Sequence, residues 1–271
     1  MNASAALDSF EYAVDPARLD APLRETFSSS SRDAELDEFL RRAEVERAGK
    51  FRTFAFRSLQ FLWSDYDAYA ALRMYGMHLL GSRQWRALLA RTADARRGSL
   101  LDVGAGDGGV TGFARPLFER IVVTESSRGL TRLLRRQGFE HVDHDLGAAP
   151  WPSDERFDVV SVLNVIDRTR RPRSLLAHAR DALKPRGTLL VSVPLPLLPH
   201  VHVGSRTLPP DEALPEPRDT FEEGVNSLAN ELLTPLGLRV ERWTRLPYAS
   251  HGDTKHAFYV LDAVVLALAR A

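Results

Sequence analysis

Cysteine is absent from all 271 residues, which removes disulfides, thiolate metal sites and a cysteine nucleophile from consideration. Net charge is absent too. The 36 Lys and Arg balance 36 Asp and Glu, whereas a chain that bound nucleic acid mainly by neutralising phosphates would carry an excess of base. No apolar run reaches the ~18 residues of a membrane span. Leu189–Leu198 is broken by two prolines and Ala257–Ala269 by Asp262. The first twenty residues hold Asp8, Glu11 and Asp15 and no apolar stretch of signal-peptide type, so a cytoplasmic location is expected. What is present is ordinary globular composition, 44% hydrophobic and 27% charged, enough to bury a core in one large domain or two small ones.

Residues 1–31 show no sustained period and end in four serines, which predicts a poorly ordered arm. Residues 32–98 predict a helical segment. Ser30 and Asp33 have capping-box spacing ahead of Leu36, Phe39, Leu40 and Ala43. A second helix would carry Phe51, Phe54, Ala55, Leu59 and Leu62, and a third Tyr69, Leu72, Tyr75 and Leu79. Ser82 is placed to cap a fourth with Trp85, Leu88 and Leu89. From Ser99 to Ala271 short apolar runs alternate with helical patterns, the texture of a parallel sheet covered by helices on both sides. Strands are expected near 99–103, 121–124, 141–144, 157–163 and 188–193, then a long antiparallel pair near 239–246 and 257–268. The expected class is α/β: a Rossmann-like sheet of seven mostly parallel strands with an antiparallel last strand. The proline-rich stretch 194–217 reads as a long loop of the type that borders active sites.

Leu100-Leu101-Asp102-Val103-Gly104-Ala105-Gly106-Asp107-Gly108-Gly109 follows a strand and opens a helix, where glycines permit a sharp turn and close approach of a ligand. Gly104, Gly106 and Gly109 fit G-x-G-x-x-G, so a nicotinamide oxidoreductase is one reading. Asp102, two residues before the first glycine, and Asp107 in the turn would repel a pyrophosphate but suit the ammonium of a sulfonium amino acid, which favours S-adenosylmethionine. Glu125 is spaced to accept two ribose hydroxyls, and Asp145 to meet the adenine amino group. The alternative for this segment is a tight turn with a solvated acid.

Beside the switch point of such a sheet, the strand 157–163 runs into Asn164-Val165-Ile166-Asp167-Arg168. Asn164 and Asp167 both face a crevice if the chain turns helically there. A carboxylate assists methyl transfer to an imidazole by fixing the tautomer, offsetting the forming positive charge and taking the proton. The other reading is that both residues cap the next turn. No metal site is expected: His200-Val201-His202 offers two ligands without an obvious third. Arg245 can bind a substrate carboxylate or pair with an acid. The arginines 168, 170, 171 and 173 can attract acidic partners or line a solvated loop.

The blocks Leu101–Gly108, Thr124-Glu125, Leu163–Arg168, Val225–Leu228, Thr244–Tyr248, Gly252-Asp253 and Tyr259–Asp262, in this order, resemble the DREV family, methyltransferase-like protein 9, over about residues 100 to 268. The resemblance implies an S-adenosyl-L-methionine-dependent protein-histidine methyltransferase acting on the N1 (pros) nitrogen in His-x-His sequences of protein or peptide substrates. It implies that Gly104, Ala105 and Gly106 form the cofactor turn, and that Glu125, Asn164 and Tyr248 contact the cofactor. It further implies that Asp167 is the catalytic carboxylate, beside Asn164, and that Tyr259 shapes the imidazole pocket. Animal relatives enter the secretory pathway, and no leader is seen here. Phe258-Tyr259 replaces a pair of tyrosines, and the loop after Pro194 diverges; both bear on substrate choice. The chain's own His200-Val201-His202 matches the target sequence, which raises self-methylation. A small-molecule N- or O-methyltransferase remains the rival on the same fold.

Overall fold

Leu100, Leu101 and Val103 in strand β2 (Ser99–Val103) and Val159, Val160 and Val162 in β5 (Phe157–Leu163) are all buried, as expected of strands covered on both faces. They pair in parallel at the centre of the sheet, with Val103 opposite Val162. The computed structural model describes residues 10–45, 76–90, 98–203, 206–252 and 256–271.

The remaining main strands are β1 (Met77–His78), β3 (Arg120–Thr124), β4 (Glu140–His141), β6 (Leu183–Leu195), β9 (Leu238–His251) and β10 (Phe258–Arg270). The sheet order is β1-β9-β10-β6-β5-β2-β3-β4. β2 pairs in parallel with β3 and β5, and β5 with β6. β10 is antiparallel to both β6 and β9, so the expected antiparallel pair closes one side. A separate hairpin, β7 (Val201–Val203) with β8 (Arg206–Leu208), lies within the proline-rich stretch that was expected to be loop.

Two cores result, one per face. Trp85, Phe118, Leu190, Leu246 and Val265 share one with helices α3 (Ser82–Leu88) and α4 (Gly109–Ala114). Leu176, Val191, Leu232, Trp243 and Leu266 share the other with α6 (Pro172–Asp181) and α7 (Phe221–Ser227). Between β3 and β4 lies α5 (Arg128–Arg136), begun by the Ser127 hydroxyl accepting from the Leu130 N–H at 3.3 Å. Among the described residues no helix is long and apolar enough to cross a membrane.

Several expectations about the first hundred residues change. The part of the arm that is described is packed against the sheet. Leu19 and Leu23 of the segment around α1 (Ala21–Thr26) are buried in the second core, and Phe27 meets Trp243 ring to ring at 4.8 Å. Absence of a sequence period hid this because the segment docks through spaced side chains and backbone, as in Ser28 N–H donating to the Trp243 carbonyl at 2.8 Å. Helix α2 (Ala34–Val45) is capped by Asp33, whose Oδ1 accepts from Leu36 N–H at 2.8 Å, rather than by Ser30. Gly81, not Ser82, caps α3, with the Gln84 side chain accepting from its N–H. Met77 and His78 form an eighth, edge strand opposite Ser250 and Ala249, where the third helix was expected to continue to Leu79. The second helix and most of the third lie outside the described residues.

Arg245 settles on pairing. It is 9% exposed, donates Nε to both Asp262 oxygens at 3.0 Å, meets Glu11 at 2.7 Å and donates to the Ala13 carbonyl at 2.7 Å. This ties the N-terminal segment to the β9–β10 pair.

Trp243 is fully buried and donates Nε1–H to the Leu23 carbonyl at 2.7 Å. Trp243→Ala is predicted to lower the unfolding free energy by about 3–5 kcal/mol, as large buried aromatics do. Urea denaturation checks this; a loss under about 1 kcal/mol would mean that the N-terminal segment is not held through this ring.

Candidate functional site

The order of the strands reverses between β2 and β5, so the crevice lies beyond the carboxyl ends of these two neighbours. Val103 leads directly into the glycine turn, and Leu163 into Asn164. Gly104, Gly106 and Gly108 have φ of 72°, 59° and 78°, a region open to glycine at little cost. Gly109, the third glycine of the expected pattern, is instead the first residue of α4. The N–H groups of Gly104 and Ala105 donate to the Thr124 carbonyl at 3.0 and 3.1 Å, which pins the turn to the end of β3.

Glu125 sits where it was expected, at that strand end. One carboxylate oxygen accepts from Gly106 N–H at 3.0 Å and the other from Ser127 N–H at 2.9 Å. Burial pushes its carboxyl up, and these N–H donors work against that shift. An acid braced on the glycine turn is placed to accept hydroxyl donors of a ligand lying across it.

Asp102 departs from expectation. It is 3% exposed, and its two oxygens accept from Thr111 and Ser161 hydroxyls, each at 2.5 Å. Burial pushes its carboxyl up while both hydroxyls oppose the shift. It therefore ties β2 to α4 and β5 and does not present an oxygen to a ligand ammonium. Asp145 is exposed, and its Oδ1 accepts from Gly147 N–H at 2.8 Å, which forms a turn of its own. That Asx turn faces the chain after Asp167, because a Cβ on Gly147 would meet the Thr169 hydroxyl at 3.2 Å.

Asn164 adopts a left-handed φ of 55°. Its Oδ1 accepts from the Ser192 hydroxyl at 2.8 Å, and its backbone N–H donates to the Ser192 carbonyl at 3.0 Å, so β6 holds it. Its Nδ2 is buried without a hydrogen-bond partner. The next residue, Val165, fills the space over Gly104: a Cβ there would stand 2.8 Å from Val165 Cγ2. The close approach that requires this glycine is thus made by the turn after β5. The turn closes with Arg168 N–H donating to the Val165 carbonyl at 3.0 Å.

Asp167 lies in this turn and is 4% exposed. Oδ2 accepts from Arg168 Nε at 3.0 Å; Oδ1 is buried and has no partner. An unpaired buried carboxylate oxygen is costly, and such exceptions concentrate at working sites. Its backbone carbonyl accepts from His200 N–H at 2.8 Å, which brings β7 to the site. The His200 ring contacts the Leu198 carbonyl through Nδ1 at 3.0 Å. Among the described residues no three acidic or His side chains gather as metal ligands.

Tyr248 is 8% exposed on β9 and packs in the first core, near the carboxyl end of the sheet. Tyr259, opposite Ser250 on β10, is 43% exposed, with its hydroxyl 3.2 Å from His256 Nδ1. The strand register puts Tyr248 and Tyr259 at the same end of the sheet as Asn164 and Asp167. Of the basic residues after Asp167, Arg170 pairs with Asp211 at 2.9 Å and Arg173 donates to the Ala213 carbonyl at 2.7 Å.

The chain matches the DREV methyltransferase family over residues 12–270. It belongs to that family. Among curated proteins, a highly reducing polyketide synthase from Aspergillus aculeatus is 33% identical over 111 residues, 35% of this chain but only 4% of that enzyme's length. A Haloferax volcanii methyltransferase in complex with the Trm112 activator is 22% identical over 48% of this chain and 60% of that one, with a TM-score of 0.38. N-methyltransferase NodS from Bradyrhizobium japonicum, solved with S-adenosylhomocysteine, is 16% identical over 69% of this chain and 83% of its own, with a TM-score of 0.45.

Asp107, at the start of α4 in this DREV methyltransferase, accepts from Gly109 N–H at 2.9 Å, and burial pushes its carboxyl up to about 6. The folded chain then binds this proton more tightly than the unfolded one, whose Asp titrates near ~3.9. The contribution is whole below about pH 4 and is lost as pH rises through about 6. Asp107→Asn is therefore predicted to gain stability over the wild type by up to about 3 kcal/mol between pH 4 and pH 7. Denaturation at several pH values checks it; a difference that does not change with pH would contradict the assignment.

Proposed function

We propose that this DREV methyltransferase, with S-adenosyl-L-methionine as its methyl donor, methylates the N1 (pros) nitrogen of histidine in His-x-His sequences of proteins. The observation that carries the reading is the bare, buried Oδ1 of Asp167 at the carboxyl end of β5. S-Adenosylmethionine supplies, when bound, a methyl group on a positively charged sulfur. The chain's residues suit it: left-handed glycines at 104 and 106, the Glu125 carboxylate braced on Gly106, and the unpartnered Nδ2 of Asn164. Gly104, Ala105, Gly106, Glu125, Asn164 and Tyr248 would hold it.

Asp167 does the work on the acceptor. A methyl acceptor with a single reactive nitrogen needs a lone pair aimed in line and, if it gains charge, a nearby anion. Imidazole meets both conditions: Asp167 Oδ1 accepts the N–H of one ring nitrogen, which leaves the lone pair on the other. The same oxygen faces the ring as it becomes cationic and afterwards takes the proton. Arg168 keeps the second oxygen occupied, which orients the carboxylate. Tyr259 contributes a wall of the imidazole pocket.

Two substitutions separate the roles. Asp167→Asn keeps the shape and is predicted to cut turnover of a His-x-His peptide by about 10²–10⁴-fold, with S-adenosylhomocysteine affinity nearly unchanged. Glu125→Ala should weaken that affinity first. Mass spectrometry with fragment ions locates the methyl group; methylation that persists when the peptide histidines become alanine would reject the histidine acceptor.

A further inference from the structure

A serine interrupts the apolar run Leu189-Leu190-Val191-Ser192-Val193. Ser192 lies on β6 between β5 and β10, is fully buried, and sits between the buried Val191 and Val193. A hydroxyl in such a place costs stability unless its hydrogen bonds are made. They are made with one residue. Asn164 N–H donates to Ser192 Oγ at 3.0 Å, and the Ser192 hydroxyl donates to Asn164 Oδ1 at 2.8 Å.

This exchange fixes which way the Asn164 amide faces. The oxygen and nitrogen ends of an amide are nearly alike in shape, so hydrogen bonds alone tell them apart. Ser192 Oγ already accepts from a backbone N–H, and its single proton needs an acceptor. An amide turned round would present Nδ2 to Ser192 and strand that proton, so the favoured state keeps Oδ1 there. Nδ2 is thereby turned away from β6, buried and without a hydrogen-bond partner. The backbone is held as well: at a left-handed φ of 55°, Asn164 N–H also donates to the Ser192 carbonyl at 3.0 Å.

β5 stands between β6 and β2, so the end of the amide turned from β6 is on the side of the glycine turn. Val165, the next residue, meets Gly104 of that turn. A methyl donor laid across the turn with its hydroxyls at Glu125, just beyond β3, has its other end on the β5 side. That other end is an amino acid. Its sulfonium and ammonium accept no hydrogen bond, whereas its carboxylate is a strong acceptor.

We infer that Ser192 is a positioning residue that sets the polarity of the Asn164 amide, and that Nδ2 so presented donates to the carboxylate of S-adenosylmethionine. The inference rests on the proposed placement of the donor and deepens it by naming the end that Asn164 meets. It does not involve the methyl acceptor.

Isothermal titration calorimetry without an acceptor tests it on three ligands. These are S-adenosylhomocysteine, its analogue lacking the carboxylate, and 5′-methylthioadenosine, which lacks the amino-acid end. Ser192→Ala should weaken S-adenosylhomocysteine roughly tenfold, the loss of one well-placed hydrogen bond, and leave the other two within about twofold. Ser192→Thr keeps the hydroxyl and should restore most of the affinity. Asn164→Asp still accepts from Ser192 but turns an anion toward the ligand. It should weaken S-adenosylhomocysteine at least about tenfold and hold the carboxylate-free analogue as tightly as the wild type does, or more so. Unchanged 5′-methylthioadenosine binding shows that each variant site is folded. Equal weakening of all three ligands, or S-adenosylhomocysteine binding untouched by Ser192→Ala, would overturn the inference. Methylation of a His-x-His peptide by the wild type despite that outcome would leave the histidine reading standing.

Discussion

A carboxylate buried with one oxygen tied and the other bare is the constraint around which this molecule is arranged. Asp167 spends Oδ2 on Arg168 and leaves Oδ1 without a donor at 4% exposure. Burial of that kind costs on the order of kilocalories unless a partner arrives, so a ligand that brings an N–H is favoured by the site itself. The surroundings hold the carboxylate there against relaxation. Asn164 is fastened to Ser192 of β6, Val165 rests over Gly104, and the hairpin segment and α6 bind the turn from the far side.

The same contacts couple the two halves of the site. Gly104 belongs to the glycine turn proposed to hold the donor and Val165 to the turn proposed to face the acceptor, and they meet where a side chain on residue 104 would collide. Replacing this glycine would disturb both at once. Asp102, by contrast, contributes from within, holding β2, α4 and β5 through two hydroxyls so that both turns leave the sheet at fixed positions. The acid that precedes the glycines is structural here, and the acid just beyond β3, Glu125, is braced on the glycine turn.

Much of this was legible in the sequence. Alternating apolar runs and helical periods gave away the parallel sheet, and strand-glycine-helix spacing located Glu125 relative to the turn. The Asn164–Asp167 pair stood out because it ends a strand buried on both faces. What escaped depended on partners distant in the chain. Nothing near Asp102 announces that Ser161, 59 residues on, will take its carboxylate. Residues 10–31 lack a period because they contact the sheet through separate side chains such as Leu23 and Phe27. Met77 and His78 become a strand only because the edge of β9 pairs with them. The prolines of residues 194–217 predict a loop near a site, whereas the β7–β8 hairpin within it and its anchors to Asp167 and Arg170 rest on backbone hydrogen bonds that carry no residue signature.

The central claim is that Asp167 Oδ1 meets the acceptor ring. A crystal structure of the complex with S-adenosylhomocysteine and a His-x-His peptide measures this directly. The account predicts Oδ1 within about 3 Å of one imidazole nitrogen, with the other ring nitrogen facing the donor sulfur. An imidazole bound elsewhere, or a carboxylate rotated away to other protein groups, would contradict it.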